Sequence, residues 1–140
     1  MSERFKNSVC VDIMLVKGNK ILLMKRKNTG SDDGMYELPG GHLESNEDLY
    51  DAMIREAKEE LLIDLKREDL KIVHLMHHYT GERLNFIFSV DAQNLDPKIG
   101  ELNKCEGLVW ANINNIPNET TDKVKTMIQN IINEEFYDKM

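Results

Sequence analysis

The chain has 140 residues, of which 41% are hydrophobic and 31% are charged, and this length and balance predict one folded domain spanning residues 1–140. Its net charge of −7 argues against binding of a nucleic acid polymer, which requires a basic surface, and no apolar run is long enough for a membrane span or a signal segment. The two cysteines, Cys10 and Cys105, show no metal-ligand spacing, so free thiols in a cytoplasmic protein are expected.

The chain begins with two predicted strands joined by a tight turn. Apolar residues alternate with others over residues 8–16, which is typical of a strand. Gly18 and Asn19 suit the turn because both tolerate a positive φ, and residues 21–26 return as the second strand. The pattern therefore predicts a β-hairpin at the start of the fold.

A polar loop and a sharp turn follow the hairpin. The second strand ends in a basic cluster at residues 25–27, for which a solvated strand end is the simplest interpretation. Residues 28–35 are polar and glycine-rich and predict a mobile loop, and residues 36–38 predict a short extended piece. The Pro-Gly-Gly run at residues 39–41 predicts a tight turn in which the glycines adopt a positive φ.

A helix is predicted next. Residues 46–61 contain neither glycine nor proline and are rich in helix-forming residues. Ser45 or Asn46 is expected to cap this helix, with Asp48 in its acidic first turn.

The second half of the chain predicts three strands and a final helix. Strands are expected over residues 70–79, 84–90 and 105–111, and a helix with an apolar stripe is expected after a cap at Thr120, Thr121 or Asp122. Strict alternation in the first of these strands predicts that one face carries Ile72, His74, Met76 and His78. His77 and His78 would then point to opposite faces, which disfavours a shared zinc ion. The order of elements predicts an α/β (α+β) fold in which two helices enclose a mixed sheet, an α/β/α sandwich.

Three carboxylates of the first helix are the most informative feature. Glu56, Glu59 and Glu60 have the spacing i, i+3, i+4 and therefore share one helical face, where like charges repel. Such a face is either simply solvated or compensated by bound cations. Hard divalent cations take oxygen ligands, and Mg²⁺ is commonly held by carboxylates together with substrate phosphates. The negative net charge does not exclude a phosphorylated substrate, because metal ions reverse the local sign.

The wider spacing around these acids resembles the signature of the Nudix hydrolase family. Gly41 is followed after five residues by Glu47 and after seven more by the run Arg-Glu-Ala-Lys-Glu-Glu-Leu-Leu-Ile at residues 55–63. The one departure is Leu62, which stands where the family has glycine. A glycine there usually forms a left-handed helix cap, so Leu62 predicts that the helix ends by another geometry or continues slightly further. The resemblance implies the Nudix fold, with a mixed sheet between helices.

The resemblance also implies a metal site. Glu56, Glu59 and Glu60 would hold Mg²⁺ or Mn²⁺, and the Gly40 carbonyl would add a ligand. Because a divalent metal neutralises phosphate charge and lowers the pKa of water, these residues would support hydrolysis of a diphosphate. Glu59 is thereby placed among the catalytic residues, and Glu56 competes with Glu101 for the role of general base.

Three further residues receive supporting roles from the resemblance. Arg55 and Glu47 would form an ion pair that fixes the helix against the preceding loop and orients the ligands without touching substrate. Arg26 stands where many members carry an arginine, and its guanidinium would suit a phosphate oxygen.

The implied activity is hydrolysis of a nucleoside diphosphate linked to another group. The run at residues 38–44 resembles MutT-type members, so the expected reaction converts a (deoxy)nucleoside triphosphate into a monophosphate and pyrophosphate. Two alternatives stay open: another nucleotide conjugate, such as a sugar nucleotide or dinucleoside polyphosphate, and a non-catalytic nucleotide-binding module. The expected partner is a small nucleotide, and a homodimer is one of the oligomeric states that the sequence leaves open.

Overall fold

A mixed β-sheet between two helices forms the centre of the protein in a computed structural model that describes residues 3–140. Within this range the sheet has eight strands. They are β1 (Ser8–Lys17), β2 (Lys20–Arg26), β3 (Tyr36–Glu37), β4 (Gly40–His42), β5 (Lys71–His78), β6 (Arg83–Asp91), β7 (Cys105–Asn112) and β8 (Tyr137–Lys139). The helices are α1 (Leu49–Leu61), α2 (Asp122–Ile132) and one 3₁₀ turn at Arg67–Asp69. No helix within residues 3–140 is long and apolar enough to span a membrane.

The sheet mixes parallel and antiparallel pairs around β1. Its strand order is β3-β2-β1-β6-β5-β8, with β4 paired to β1 and β7 paired to β2. β1 runs parallel to β6, where Val11 lies opposite Phe86, and antiparallel to both β2 and β4. The predicted α+β fold with a mixed sheet is confirmed.

Side-chain alternation along β1 divides the interior into two cores. Val11, Ile13 and Leu15 belong to the core that contains the buried residues of α1, whereas Met14 belongs to the core that contains those of α2. Successive side chains of a strand point to opposite faces, so Asp12 shares the α2 face with Met14. A carboxylate is thereby placed on the central strand of the sheet.

The start of α1 differs from the sequence prediction. The helix begins at Leu49, and its N-cap is Asp48 rather than Ser45 or Asn46. The Asp48 carboxylate accepts a hydrogen bond from the Asp51 backbone N–H, and the Asp51 carboxylate accepts one from the Asp48 N–H. This reciprocal capping box satisfies two free backbone donors of the helix start, which a single serine or asparagine cap would not do.

The end of α1 also corrects an expectation. Leu62 has φ 56° and ψ 38°, the left-handed cap geometry that the family's glycine usually provides, and its N–H donates to the Lys58 carbonyl. The helix therefore ends at Leu61 as it would with glycine, and the prediction of another exit was wrong. The left-handed conformation costs an L-residue about 1–2 kcal/mol, which the surrounding fold offsets.

β5 departs from strict alternation and pairs with the last strand, β8. A bulge between Ile72 and His74 puts Ile72 against the core beneath α1 and Met76 in the core beneath α2, so these two residues do not share a face as predicted. His74 Nδ1 lies 2.9 Å from the Glu135 carbonyl oxygen, and His77 Nδ1 lies 3.0 Å from the Tyr137 hydroxyl. These histidines therefore contact Glu135, which lies two positions before β8, and Tyr137 within β8. The sequence analysis did not predict this strand.

Candidate active site

A cavity of about 730 Å³ opens where β4 meets the acidic face of α1. Six of the eight residues singled out from the sequence line it: Arg26, Gly40, Glu56, Glu59, Glu60 and Glu101. The other two, Glu47 and Arg55, are not among its lining residues. The fold thus brings residues from four separate segments to one cavity.

The glycines at the cavity floor act through their lack of a side chain. Gly40 and Gly41 lie in β4, paired with β1, and neither has a positive φ, so the predicted turn with left-handed glycines was wrong. A Cβ on Gly40 would overlap the Val11 carbonyl oxygen and the Asp12 carboxylate, and one on Gly41 would overlap the Glu56 carboxylate. Only glycine lets the strand approach these groups so closely.

Glu56 and Glu60 lie in an environment that disfavours the ionised form of their carboxyl groups. Glu56 is only 9% exposed, and burial raises the pKa of its side chain, although the hydrogen bond and charge of Arg55 oppose that rise. Burial raises the pKa of Glu60 to about 8, and the negative charge of Glu56 contributes to the rise. The Gly40 N–H donates to Glu60 Oε2 at 3.2 Å, which favours the ionised form.

Arg55 connects the acids of α1 to the preceding loop. Its Nε and Nη2 donate to Glu47 at 3.1 and 2.7 Å, and Nη2 also donates to the His42 carbonyl at 3.0 Å. Nη1 donates to Glu56 at 2.9 Å and lies 3.6 Å from a Glu59 oxygen. The contacts to Glu47 and Glu56 raise the pKa of Arg55 further above its usual range, so its charge is permanent.

Glu101 and Arg26 approach the cavity from loops. Glu101 has one ion pair among the described residues, with Lys104 at 3.5 Å, and its charge contributes to the raised pKa values of Glu56 and Glu60. Arg26 Nη1 lies 3.1 Å from Glu37, and its Nε donates to the Ser31 carbonyl at 2.9 Å. Arg26 therefore orders the loop after β2 and still lines the cavity.

The structure adds residues that the sequence reading missed. Asp12, Asn85 and Lys123 line the same cavity but lie far from the acidic helix in the sequence, in β1, β6 and the first turn of α2. Burial raises the pKa of Asp12 to about 6, while the Asn85 side-chain amide, which donates to it at 2.7 Å, opposes the rise. One signal was readable: Asp12 is a charged residue in the middle of an apolar strand, where it is rarely found without a role.

The donor set of the α1 face fits a hard divalent cation. Among residues 3–140 no three His, Cys, Asp or Glu side chains converge closely enough to hold one ion, and Arg55 instead contacts Glu56 and Glu59. Glu60, however, has a raised pKa and no salt bridge in the described part of the chain. A bound cation would favour the ionised form of such a carboxylate. All of the candidate ligands carry oxygen, which suits Mg²⁺ or Mn²⁺.

Comparison with known proteins gives consistent matches. The model of the NUDIX domain family matches residues 6–130. The chain is 32% identical over 120 residues to the ADP-ribose pyrophosphatase of Methanocaldococcus jannaschii, covering 84% of this chain and 69% of that protein. It is 32% identical over 65 residues to the 8-oxo-dGTP diphosphatase of Proteus vulgaris, covering 46% of this chain and 58% of that protein. The solved structure of a MutT NUDIX hydrolase from Burkholderia pseudomallei superposes with a TM-score of 0.78 at 26% identity, covering 89% of this chain and 97% of that one.

Proposed function

We propose a function from one premise: the chain belongs to the Nudix hydrolase family. It is therefore a pyrophosphohydrolase, and members of the family generally require a divalent metal ion. The specific reaction that we propose is attack of water on a phosphorus of a nucleoside triphosphate, which releases a nucleoside monophosphate and pyrophosphate. The observation that supports it is the crowding of Glu56 and Glu60 beside the two glycines of β4, with the pKa of both carboxyls raised.

The acids of α1 form the proposed metal site. Glu56, Glu59, Glu60 and the Gly40 carbonyl would hold Mg²⁺ or Mn²⁺, which when bound neutralises phosphate charge and lowers the pKa of water. Arg55 and Glu47 hold these acids in place from outside the cavity, since neither is among the residues that line it. Arg26 would contact a phosphate oxygen from the opposite wall.

Glu101 is the better of the two candidates for the general base. Glu56 is nearly buried, and Arg55 Nη1 donates to its Oε1, so this carboxylate is already engaged. Glu101 is more exposed and has one longer ion pair to Lys104. A carboxylate at the cavity wall with this freedom can accept a proton from the attacking water.

Two substrate classes have support. A triphosphate is favoured by the structural similarity to a MutT hydrolase and by the sequence similarity to an 8-oxo-dGTP diphosphatase. The longer sequence match, to an ADP-ribose pyrophosphatase, favours ADP-ribose as the second candidate. Both substrates contain a nucleoside diphosphate, so the same metal site would serve either.

Product analysis tests this proposal. The protein is incubated with nucleoside triphosphates, ADP-ribose, sugar nucleotides and dinucleoside polyphosphates, with Mg²⁺ or Mn²⁺, beside a Glu59→Gln variant. We expect monophosphate and pyrophosphate from triphosphates, and a loss of more than about 100-fold in the variant, since changes to outer partners of metal ligands already cost 10–100-fold. Glu68→Gln is the matched control, because Glu68 is exposed and lies outside the cavity.

The outcomes separate the alternatives. Turnover of ADP-ribose alone would retain the metal site and replace the triphosphate assignment. Nucleotide binding without any metal-dependent turnover would favour a binding module and contradict the proposal.

A further inference from the structure

The end of the cavity beneath α2 is built from residues that lie far apart in the sequence. Asp12 comes from β1, Glu37 from β3, Asn85 and Arg83 from β6, and Lys123 from the first turn of α2. We call this set the α2-side pocket. It lies across β4 from the acids of α1, because Asp12 pairs with Gly40 in the sheet and points to the α2 face. A substrate whose diphosphate contacts the acids can therefore extend its nucleoside part into this pocket.

Asp12 is held in one orientation. The Asn85 Nδ2 donates to Asp12 Oδ2 at 2.7 Å, and Asn85 itself is only 3% exposed. Gly40, opposite, has no Cβ, and the Asp12 Oδ1 occupies the space that a Cβ would need. An oriented group of this kind is suited to selecting a ligand.

The charges around Asp12 leave it available to a ligand. Glu37 is neutralised on both sides, with Arg26 at 3.1 Å and Lys123 at 3.4 Å. Asp12 has no salt bridge to any of residues 3–140 and remains partly open to the cavity. An ionised carboxylate offers acceptors only, so its preferred ligand is an N–H or O–H donor.

The pocket offers few surfaces on which a base could stack. Among the described residues, no phenylalanine, tyrosine or tryptophan lines the cavity, and His42 supplies its one aromatic ring. Stacking contributes affinity but does not depend on the base. Selectivity between bases is therefore left to hydrogen bonds to the edge of the ligand.

We propose that Asp12, positioned by Asn85, determines substrate specificity by accepting a hydrogen bond from an N–H or O–H donor on the nucleoside part of the substrate. The inference rests on the proposed function for the identity of the reaction. The donor has two sources, an amino or imino group of the base and a hydroxyl of the sugar. Loss of one hydrogen bond to a charged group costs about 1.5–3 kcal/mol, which corresponds to about 10- to 100-fold in kcat/KM.

Pairs of nucleotides that differ in their hydrogen-bond donors test the proposal. GTP and ITP differ in the 2-amino group, CTP carries a 4-amino donor where UTP carries an N3–H donor, and each ribonucleotide differs from its deoxy form in the 2′-hydroxyl. We expect the wild type to prefer the member that carries the donor in one of these pairs by about 10-fold or more, mainly through KM. Asp12→Ala should bring that ratio close to 1 with little change in kcat, and Asp12→Asn, which retains one acceptor oxygen, should restore part of it.

A positioning role for Asn85 predicts a related result. Asn85→Ala should reduce the same ratio, in the same pair, by less than Asp12→Ala does. Asp96→Ala is the control, because Asp96 is exposed and lies outside the cavity. Thermal melts are used to check that each variant is folded. A fall in kcat that is equal for all substrates would assign Asp12 a structural role and overturn the proposal.

Binding of monophosphates in the presence of a chelator separates this inference from the proposed function. GMP and IMP, CMP and UMP, and AMP and dAMP are titrated into wild type and Asp12→Ala by calorimetry. If no nucleotide is hydrolysed but the wild type binds one member of a pair more tightly and the variant does not, the proposed reaction fails and the role of Asp12 stands. Equal binding within every pair, or a preference that survives in Asp12→Ala, overturns the role of Asp12.

Discussion

The two sides of the cavity are encoded in different ways. On the α1 side, all four candidate metal ligands lie within residues 40–60, a short run that the chain folds onto itself. On the α2 side, Asp12, Asn85 and Lys123 come from β1, β6 and α2 and meet only when the sheet has formed. The first side can therefore be predicted from a local sequence motif, whereas prediction of the second side requires the strand topology.

The electrostatics of the two sides differ as well. The α1 side concentrates negative charge, with Arg55 as the cation that contacts several of its acids. The α2 side mixes signs, since Glu37 lies between Arg26 and Lys123. A concentration of acids suits a metal ion, whereas mixed charge and hydrogen-bonding groups suit discrimination between organic ligands. The difference indicates that residues of the α2 side can change, and with them the selectivity for substrate, while the metal-binding acids of the α1 side stay the same.

Among changes that remove no proposed metal ligand, the largest effect on the α1 side is expected from Gly41→Ala. The added Cβ would overlap the Glu56 carboxylate, which Arg55 holds in place, so Glu56 must move. A displacement of about 1 Å in a catalytic group can cost about 100-fold in rate, and we expect a loss of that size in kcat. The fold should persist, because the overlapping atoms are the end of a flexible side chain. Steady-state kinetics and a thermal melt measure the two effects.

Two other glycine variants serve as comparisons for Gly41→Ala. Gly107→Ala is the matched control, since its Cβ would meet no atom within 4 Å, and it should leave both activity and stability nearly unchanged. Gly40→Ala would overlap the backbone oxygen of Val11 and should destabilise the fold itself. Full activity in Gly41→Ala would show that the close approach of β4 to Glu56 is not required.

The sequence predicted one side of this comparison much better than the other. The hairpin of β1 and β2, the acidic face of α1 and the mixed sheet follow from local periodicity and spacing. The three-residue strand β4 does not, because its conformation depends on pairing with β1, some thirty positions earlier. The contact between Asp12 and Asn85 spans 73 positions and no local rule connects them. Asp48 was identified as an acid of the helix start, but its role as the cap depended on Asp51.

Metal-linked stability should also distinguish the two sides. Burial raises the pKa of Glu60 from 4.5 to about 8, so this group stabilises the folded state below pH 4.5, and that contribution is lost as the pH rises through 8. In a chelator, the melting temperature of the wild type should therefore fall from pH 5 to pH 8 relative to that of Glu60→Gln. Adding Mg²⁺ at pH 8 should raise the wild-type melting temperature, because a bound cation relieves the repulsion.

The same experiment carries its own control. Glu68→Gln, an exposed substitution, should follow the wild type at every pH with and without Mg²⁺. Comparison with Glu60→Gln removes the contribution of Asp12, whose raised pKa is common to both proteins. If the melting temperatures of wild type and Glu60→Gln change with pH in the same way across this range, the raised pKa of Glu60 is contradicted.

The smallest effect is expected at the residue that departs from the family signature. Leu62 is 53% exposed and adopts a left-handed conformation that costs an L-residue about 1–2 kcal/mol, so Leu62→Gly loses little packing and relieves that cost. The variant should be more stable by about 1 kcal/mol with unchanged kcat, as measured by chemical denaturation and steady-state kinetics. Leu102→Gly is the contrast: Leu102 is 70% exposed but has a negative φ, so glycine there should stabilise nothing. If Leu62→Gly instead changes kcat, the end of α1 positions Glu59 and Glu60, and the glycine of the family signature has a role in catalysis beyond ending the helix.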